Sequence, residues 1–283
     1  MTHQGRRATL FNIAANAFLF AIKYTGALMT GSLALMSDAI NSFSDTIYSI
    51  AIFFAVKVSH KRADNDHPFG HHRAEPVAGL LVALLAGILG FEIIKAGVEG
   101  LLSPEVRVFS YLAVGILAFT MLMKALMSLY FRGVAKKINS PALAASSVDC
   151  RNDVLVSFIA MLGVLGPYLN FPNLDYCAAI AIGLFIIYSG YKIGTENIDY
   201  LMGKAPGKET MNEITQRALS VKGVKGLHKV RAHYVGNYLH VQAHVEVDKN
   251  MTLQKAHDLG ETVEDRIEEM HSVDKAFIHV DPR

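Results

Sequence analysis
The sequence predicts a membrane all-α domain of six helices over residues 1–203, joined to a small α+β domain over 204–283. Three observations predict it. The chain is 52% hydrophobic and only 18% charged, with a mean hydropathy of +0.29, too apolar for an ordinary soluble protein. Its apolar residues gather in long runs before residue 203, broken by short polar loops. After residue 204 the chain is charged and His-rich, and no long apolar run recurs.

Six stretches have the length of a bilayer crossing: roughly 8–29, 33–57, 76–100, 108–131, 141–167 and 174–198. Each is near or above the ~20 residues a spanning helix needs. Basic residues flank them unevenly. Arg6 and Arg7 precede the first span. Lys57, Lys61, Arg62 and Arg73 follow the second, and Arg132, Lys136 and Lys137 follow the fourth. Loops 30–32 and 168–173 contain no Lys or Arg, and 101–107 contains only Arg107. The positive-inside rule therefore predicts both termini in the cytoplasm. The opening MTHQGRR runs into an apolar span too long for a signal-peptide core, with no small-residue cleavage site after it. A retained span is predicted there.

The tail reads as helix, two strands, helix, strand. TMNEITQRAL suits a helix with a polar face. VKGLHKVRAHYV and YLHVQAHVEV meet at Gly236-Asn237, a hairpin signal. In the second of these strands Leu239, Val241, Ala243, Val245 and Val247 share one face. Tyr238, His240, Gln242, His244 and Glu246 share the other. Residues 252–270 form an amphipathic helix and KAFIHV a closing strand, giving one sheet with one covered face.

Composition excludes some classes. A formal net charge of +2 offers no argument for a nucleic-acid partner. The two cysteines, Cys150 and Cys177, lie in apolar runs and read as buried, inert thiols rather than a disulfide framework. The Gly and Ala of GLLVALLAGILG suit close helix packing and are expected to serve contacts rather than chemistry. Tyr24, Tyr48 and Tyr111 are expected at the membrane interfaces.

The chemistry begins at SDAINSFSD, residues 37–45, inside the second span. On a helix Asp38, Asn41 and Asp45 fall within about 60° of one another. In the fifth span Asp149 and Asp153 are four apart and share a face as well. Each mid-membrane carboxylate costs about 2.5–3.5 kcal/mol, so such groups are usually functional. The plain alternative is pairing with Lys23, Lys95, Lys124 or Arg151. Two matched pairs on two helices favour a functional role, as an ion path, a proton relay or a metal site, over that alternative. Three carboxylates and an amide form an all-oxygen shell, which suits Mg²⁺, Ca²⁺ or Mn²⁺ better than a softer ion.

These residues carry a family resemblance. GSLALMSDAINSFSD, HPFGHHRAEP, SPALAASSVDCRNDV and the tail's GLHKVRAH, QAHVEVD and IHVDP together resemble the cation diffusion facilitators. That family consists of homodimeric six-helix metal exporters with a ferredoxin-like cytoplasmic domain. The resemblance implies a transport site of Asn41, Asp45, Asp149 and Asp153. Zinc-carrying members commonly have His where this chain has Asn41 and Asp149, and the set here is similar to that of bacterial manganese exporters. Asp38 matches a family aspartate outside the four ligands, with a structural or proton-path role. Asp64, His67 and His71 resemble a loop metal site. His228, His244, His257, His279 and Asp281 resemble a cytoplasmic metal site that ties two protomers together. Some relatives pair a basic residue entering the third helix with an aspartate after the sixth. Arg73 fills the first place here, whereas the second is Gly203, with Asp199 one turn earlier.

The function these observations predict is Mn²⁺ export in exchange for H⁺, by alternating access, with no cofactor and no enzymatic reaction. The expected partners are a second copy of the chain, divalent metal, protons and the lipid of a bacterial inner membrane. The rivals are a Zn²⁺, Fe²⁺, Co²⁺ or Cd²⁺ exporter, a metal sensor that does not transport, and an intramembrane aspartyl protease. The protease requires neither two i, i+4 pairs nor a His-bearing tail.

Overall fold
The computed structural model describes residues 3–59, 61, 63–103, 109–138, 141–171 and 173–283. Arg62, Arg107 and the expected start of the fourth span at 108 lie outside the described residues. Six long helices come first: α1 (His3–Thr30), α2 (Leu33–Ser59), α3 (Ala74–Leu102), α4 (Tyr111–Ile138), α5 (Pro141–Val164) and α6 (Leu174–Leu201). All but α5 are long and apolar enough to cross a membrane by length and composition. The exception has a local cause: α5 carries Asp149, Arg151 and Asp153 within its 24 residues. Large apolar side chains such as Leu84, Ile88, Phe91, Leu122 and Leu129 stand exposed on these helices, as a bundle facing hydrocarbon requires.

The bundle core joins Ala34 and Leu35 of α2, Ala113 and Leu117 of α4, Val156 and Ala160 of α5, and Ala179, Ile182 and Ile186 of α6. Two details fix its geometry. Asp175, in the first turn of α6, accepts from Ser32 Oγ at 2.6 Å and from the Leu33 and Ala34 amides at 2.8 and 3.3 Å. It thereby caps the N-terminus of α2, whose amides otherwise lack partners. Helices α3 and α6 then meet backbone to backbone. A Cβ at Gly90 would lie 2.8 Å from the Gly183 carbonyl, and one at Gly183 would lie 3.0 Å from that of Gly90. The small residues of the third span thus serve a close helix contact within this chain at Gly90, as their size predicts.

The C-terminal elements are α7 (Lys208–Leu219), β1 (Gly226–Val235), β2 (Tyr238–Val247), α8 (Leu253–Glu268) and β3 (Val273–Pro282). The sheet order is β1-β2-β3. β1 and β2 are antiparallel across the two-residue turn, where Gly236 takes a left-handed φ of 64°. β2 and β3 are parallel, which requires a crossover, supplied by α8. Ile214 of α7 and Val263 and Ile267 of α8 pack on Leu239, Val241 and Val245, the face the alternation predicts.

By compactness the chain divides into Met1–Ala51 with Leu81–Gly194, and Ile52–Leu80 with Thr195–Arg283. The segment joining α2 to α3 therefore belongs with the C-terminal elements. The thiols differ from expectation. Cys150 is buried against α4, but Cys177 is exposed, because it falls on the outer face of α6 between buried Tyr176 and Ala178.

Candidate metal centres
The four residues predicted for transport sit on facing turns of α2 and α5. Spacing explains the faces; the packing of α4 on α5 explains the register. Ser128 Oγ donates to the Ser147 carbonyl at 2.7 Å and Ser147 Oγ to the Ser128 carbonyl at 2.9 Å. Asn41 and Asp153 are both buried, and Asn41 Nδ2 donates to Asp153 Oδ1 at 3.1 Å. Asp45, Asp149 and Asp153 line a common cavity of about 40 Å³, room for one ion or water. Asn12, Asn16, Tyr48 and Ser146 line it too. Tyr48 thus faces this site, where a membrane interface was expected.

The carboxylates are not drawn together around a common point. A lysine stands among them. Lys124 of α4 is 1% exposed, forms an ion pair with Asp153 Oδ2, and lies 3.9 Å from Asp45 Oδ2. It also donates to Asn16 Oδ1 at 2.8 Å. Asp45 Oδ2 is buried and makes no hydrogen bond among the described residues. Asp149 is exposed at the rim. Asp38 lies elsewhere. Its Oδ2 pairs with Lys23 Nζ at 2.8 Å and accepts from Ser157 Oγ at 2.8 Å.

The loop cluster comes together as predicted. Asp64 Oδ1 accepts from the His67 amide at 2.7 Å and lies 3.2 Å from His67 Nδ1; its Oδ2 lies 3.5 Å from His71 Nε2. One donor atom from each of the three lies within 4.8 Å of the others. The His67 amide holds the Asp64 carboxyl below the usual carboxylate range. Beside this loop a cavity of about 730 Å³ is lined by His67, His71, Arg73, His233 and His240.

The C-terminal cluster follows from sheet register. His228 pairs with His244 across β1 and β2, and His244 with His279 across β2 and β3, so three imidazoles form one row. Asp281 gathers them: Oδ2 is 3.2 Å from His228 Nε2 and 2.8 Å from His244 Nδ1, and Oδ1 is 3.1 Å from His279 Nε2. The hydrogen bond from His244 leads in holding the Asp281 carboxyl below its usual range, with the imidazoles adding to it. Glu246, not singled out from sequence, stands 3.4 Å from His228 Nδ1.

His257 is not in this row. It lies on α8 and faces Glu261 at 3.3 Å. Helix α8 covers the Val241 and Val245 face of the sheet, whereas His244 points from the other. Asp199 pairs with Lys204 at 2.7 Å.

The comparisons with known proteins agree with this layout. The family described as cation efflux transmembrane domain matches residues 9–202, and that described as cation efflux protein, cytoplasmic domain, matches 206–283. The chain belongs to the cation diffusion facilitators. It is an integral membrane transporter for divalent cation efflux, not an enzyme, and its C-terminal domain points to dimerisation and metal binding. It is 36% identical to the uncharacterized transporter MJ0449 of Methanocaldococcus jannaschii over 96% of each chain. It is 29% identical to the manganese efflux system protein MneS of Bacillus subtilis, over 99% of this chain and 96% of that one. Among solved structures, MamM-CTD is 26% identical with a TM-score of 0.26, covering 27% of this chain and 98% of that one.

Proposed function
We propose that this facilitator exports Mn²⁺ from the cytoplasm in exchange for protons, through a site made by Asn41, Asp45, Asp149 and Asp153. One observation carries the reading: the Asn41–Asp153 hydrogen bond joins α2 and α5 at a small cavity whose acidic lining is Asp45, Asp149 and Asp153. Every donor of this set is oxygen, which suits a hard divalent ion. The name of the MneS relative agrees with that choice of metal.

Transport is by alternating access in a homodimer. The metal enters from the cytoplasm between α2 and α5. The bundle of α1, α2, α4 and α5 then rocks to open the site outward. Carboxylates must be free of protons to hold the metal and can take protons up when it leaves, so exchange follows from the ligand chemistry. Both termini lie in the cytoplasm of a cell with this protein in its inner membrane. Asp64, His67 and His71 form a second metal site. His228, His244, His279 and Asp281 form a third. These imidazole-rich clusters favour a second reading, in which softer ions such as Zn²⁺ bind the cytoplasmic face and regulate export.

The test is metal uptake into proteoliposomes bearing a pH gradient, with Mn²⁺ and Zn²⁺ side by side. Mn²⁺ should move, Zn²⁺ should move poorly, and Asp149→Ala should abolish both the flux and the coupled proton movement. Equal or faster Zn²⁺ flux would overturn the choice of metal.

A further inference from the structure
We propose that Lys124 is a tethered counter-cation that occupies the empty transport site, and that the exported ion must displace it. The inference rests on the four-residue transport site above and adds a fifth participant, from a helix that supplies none of the four.

The geometry is specific. The ammonium is buried, yet it neighbours the cavity rather than a packed core. It forms an ion pair with Asp153 and stands 3.9 Å from Asp45. Asp153 cannot offer the same oxygen to a metal at full strength while Lys124 holds it. Coulomb interaction between unit charges near 4 Å is worth several kcal/mol at a protein-like dielectric, so the ammonium and a metal ion compete strongly. Asn16 supplies the other half of the argument. Its Oδ1 accepts from Lys124 at 2.8 Å, and its Nδ2 donates to Asn12 Oδ1 at 3.3 Å. When a metal takes Asp153, Lys124 keeps a neutral acceptor on α1 and need not leave the protein. Three carboxylates with one ammonium also leave a formal charge opposite to that of a divalent cation, so the loaded site is neutral.

The lysine therefore does two things. It stops the empty carboxylates from repelling one another, and it keeps metal affinity low enough for release. A residue serving only packing would do neither.

The experiment measures Mn²⁺ binding by calorimetry to the full chain in nanodiscs. The wild type, Lys124→Gln, Lys124→Arg and Asp149→Ala are compared, and turnover is followed in proteoliposomes. The Mn²⁺ site that disappears in Asp149→Ala is the transport site. At that site Lys124→Gln should bind about tenfold tighter or more and turn over more slowly. Lys124→Arg, which keeps the charge, should stay within a few-fold of wild type. Unchanged or weaker binding in Lys124→Gln would overturn the inference while leaving the transport site standing. If Asp149→Ala removes no Mn²⁺ binding, the four-residue site itself fails and the inference falls with it. If Lys124→Gln folds only when Mn²⁺ is present, the metal is replacing the ammonium, as proposed. If it folds under neither condition, Lys124 is a structural partner and the inference is wrong.

Discussion

Two lysines are buried in the same helical bundle, and they differ in what surrounds them. Lys23 of α1 pairs with Asp38 at 2.8 Å, and both side chains are 0% exposed. It also donates to Ser42 and Ser157 at 3.1 Å each. One cation meets one anion, two hydroxyls complete the hydrogen bonds of the ammonium while Asp38 Oδ1 keeps no hydrogen bond among the described residues, and α1, α2 and α5 are stapled together. Lys124 meets Asp153, with Asp45 and Asp149 beside a cavity. Anions there outnumber cations and some space is left. A buried ion pair with matched charge is a structural part. A buried pair with surplus charge and room is what the proposed transport site requires. Burial alone does not distinguish the two; the local charge balance does.

The largest test of that distinction is Lys23→Met. Removing one partner of a closed, buried pair strands the other charge and typically costs about 3–5 kcal/mol. The thermal midpoint of the solubilised protein should fall steeply, and any folded fraction should keep the metal preference of the wild type. A variant that is stable but altered in metal preference would erase the contrast. Asp149→Ala should do the opposite. Asp149 is exposed at the cavity rim, so the fold should hold within about 0.5 kcal/mol, as surface changes usually do. Mn²⁺ flux should nonetheless fall at least about tenfold, since losing even an outer partner of a metal costs about 10–100-fold.

The sequence made one side of this contrast legible and hid the other. Asp38, Asn41, Asp45, Asp149 and Asp153 were visible because intramembrane carboxylates are rare and helical spacing assigns them to faces. Lys23 and Lys124 were visible only as two of several possible partners. Lys124 is 29 residues from Asp153, and spacing cannot say which distant helix brings its cation. Asn12 and Asn16 carried no signal, because an amide near the start of an apolar span is unremarkable. The Gly90–Gly183 contact was half legible: the small residues were plain, their partner was not. In the sheet, alternation gave the covered face correctly. It missed that His240 on the other face is buried, since Phe69 and Phe277 reach it from remote positions.

A smaller test sits inside the closed network. Ser157→Ala removes a donor to Asp38 and an acceptor for Lys23 but leaves the ion pair. The cost should be about 1–3 kcal/mol, well below that of Lys23→Met, read as a modest drop in thermal midpoint with flux unchanged. A loss as large as that of Lys23→Met would mean that the serine, not the charge match, holds α5 to α1.

The smallest expected effect belongs to the C-terminal row, whose His228, His244 and Asp281 are only half-buried. Asp281 has its carboxyl held low, chiefly by the His244 hydrogen bond. A carboxyl lowered by folding contributes stability above its unfolded pKa, and that contribution fades as pH falls through the folded value. From pH 8 to 5 Asp281 therefore stays ionised and contributes no pH dependence. With the carboxylate constant, the imidazole nitrogens decide how tightly a metal is held at this row. Metal binding at this row, read by calorimetry, should weaken about tenfold or more in His244→Ala. The thermal midpoint of the metal-free protein should barely respond to the same substitution. If His244→Ala left metal binding unchanged, the row would be solvated histidines rather than a site, and a charged cluster would mark function only where it is fully buried.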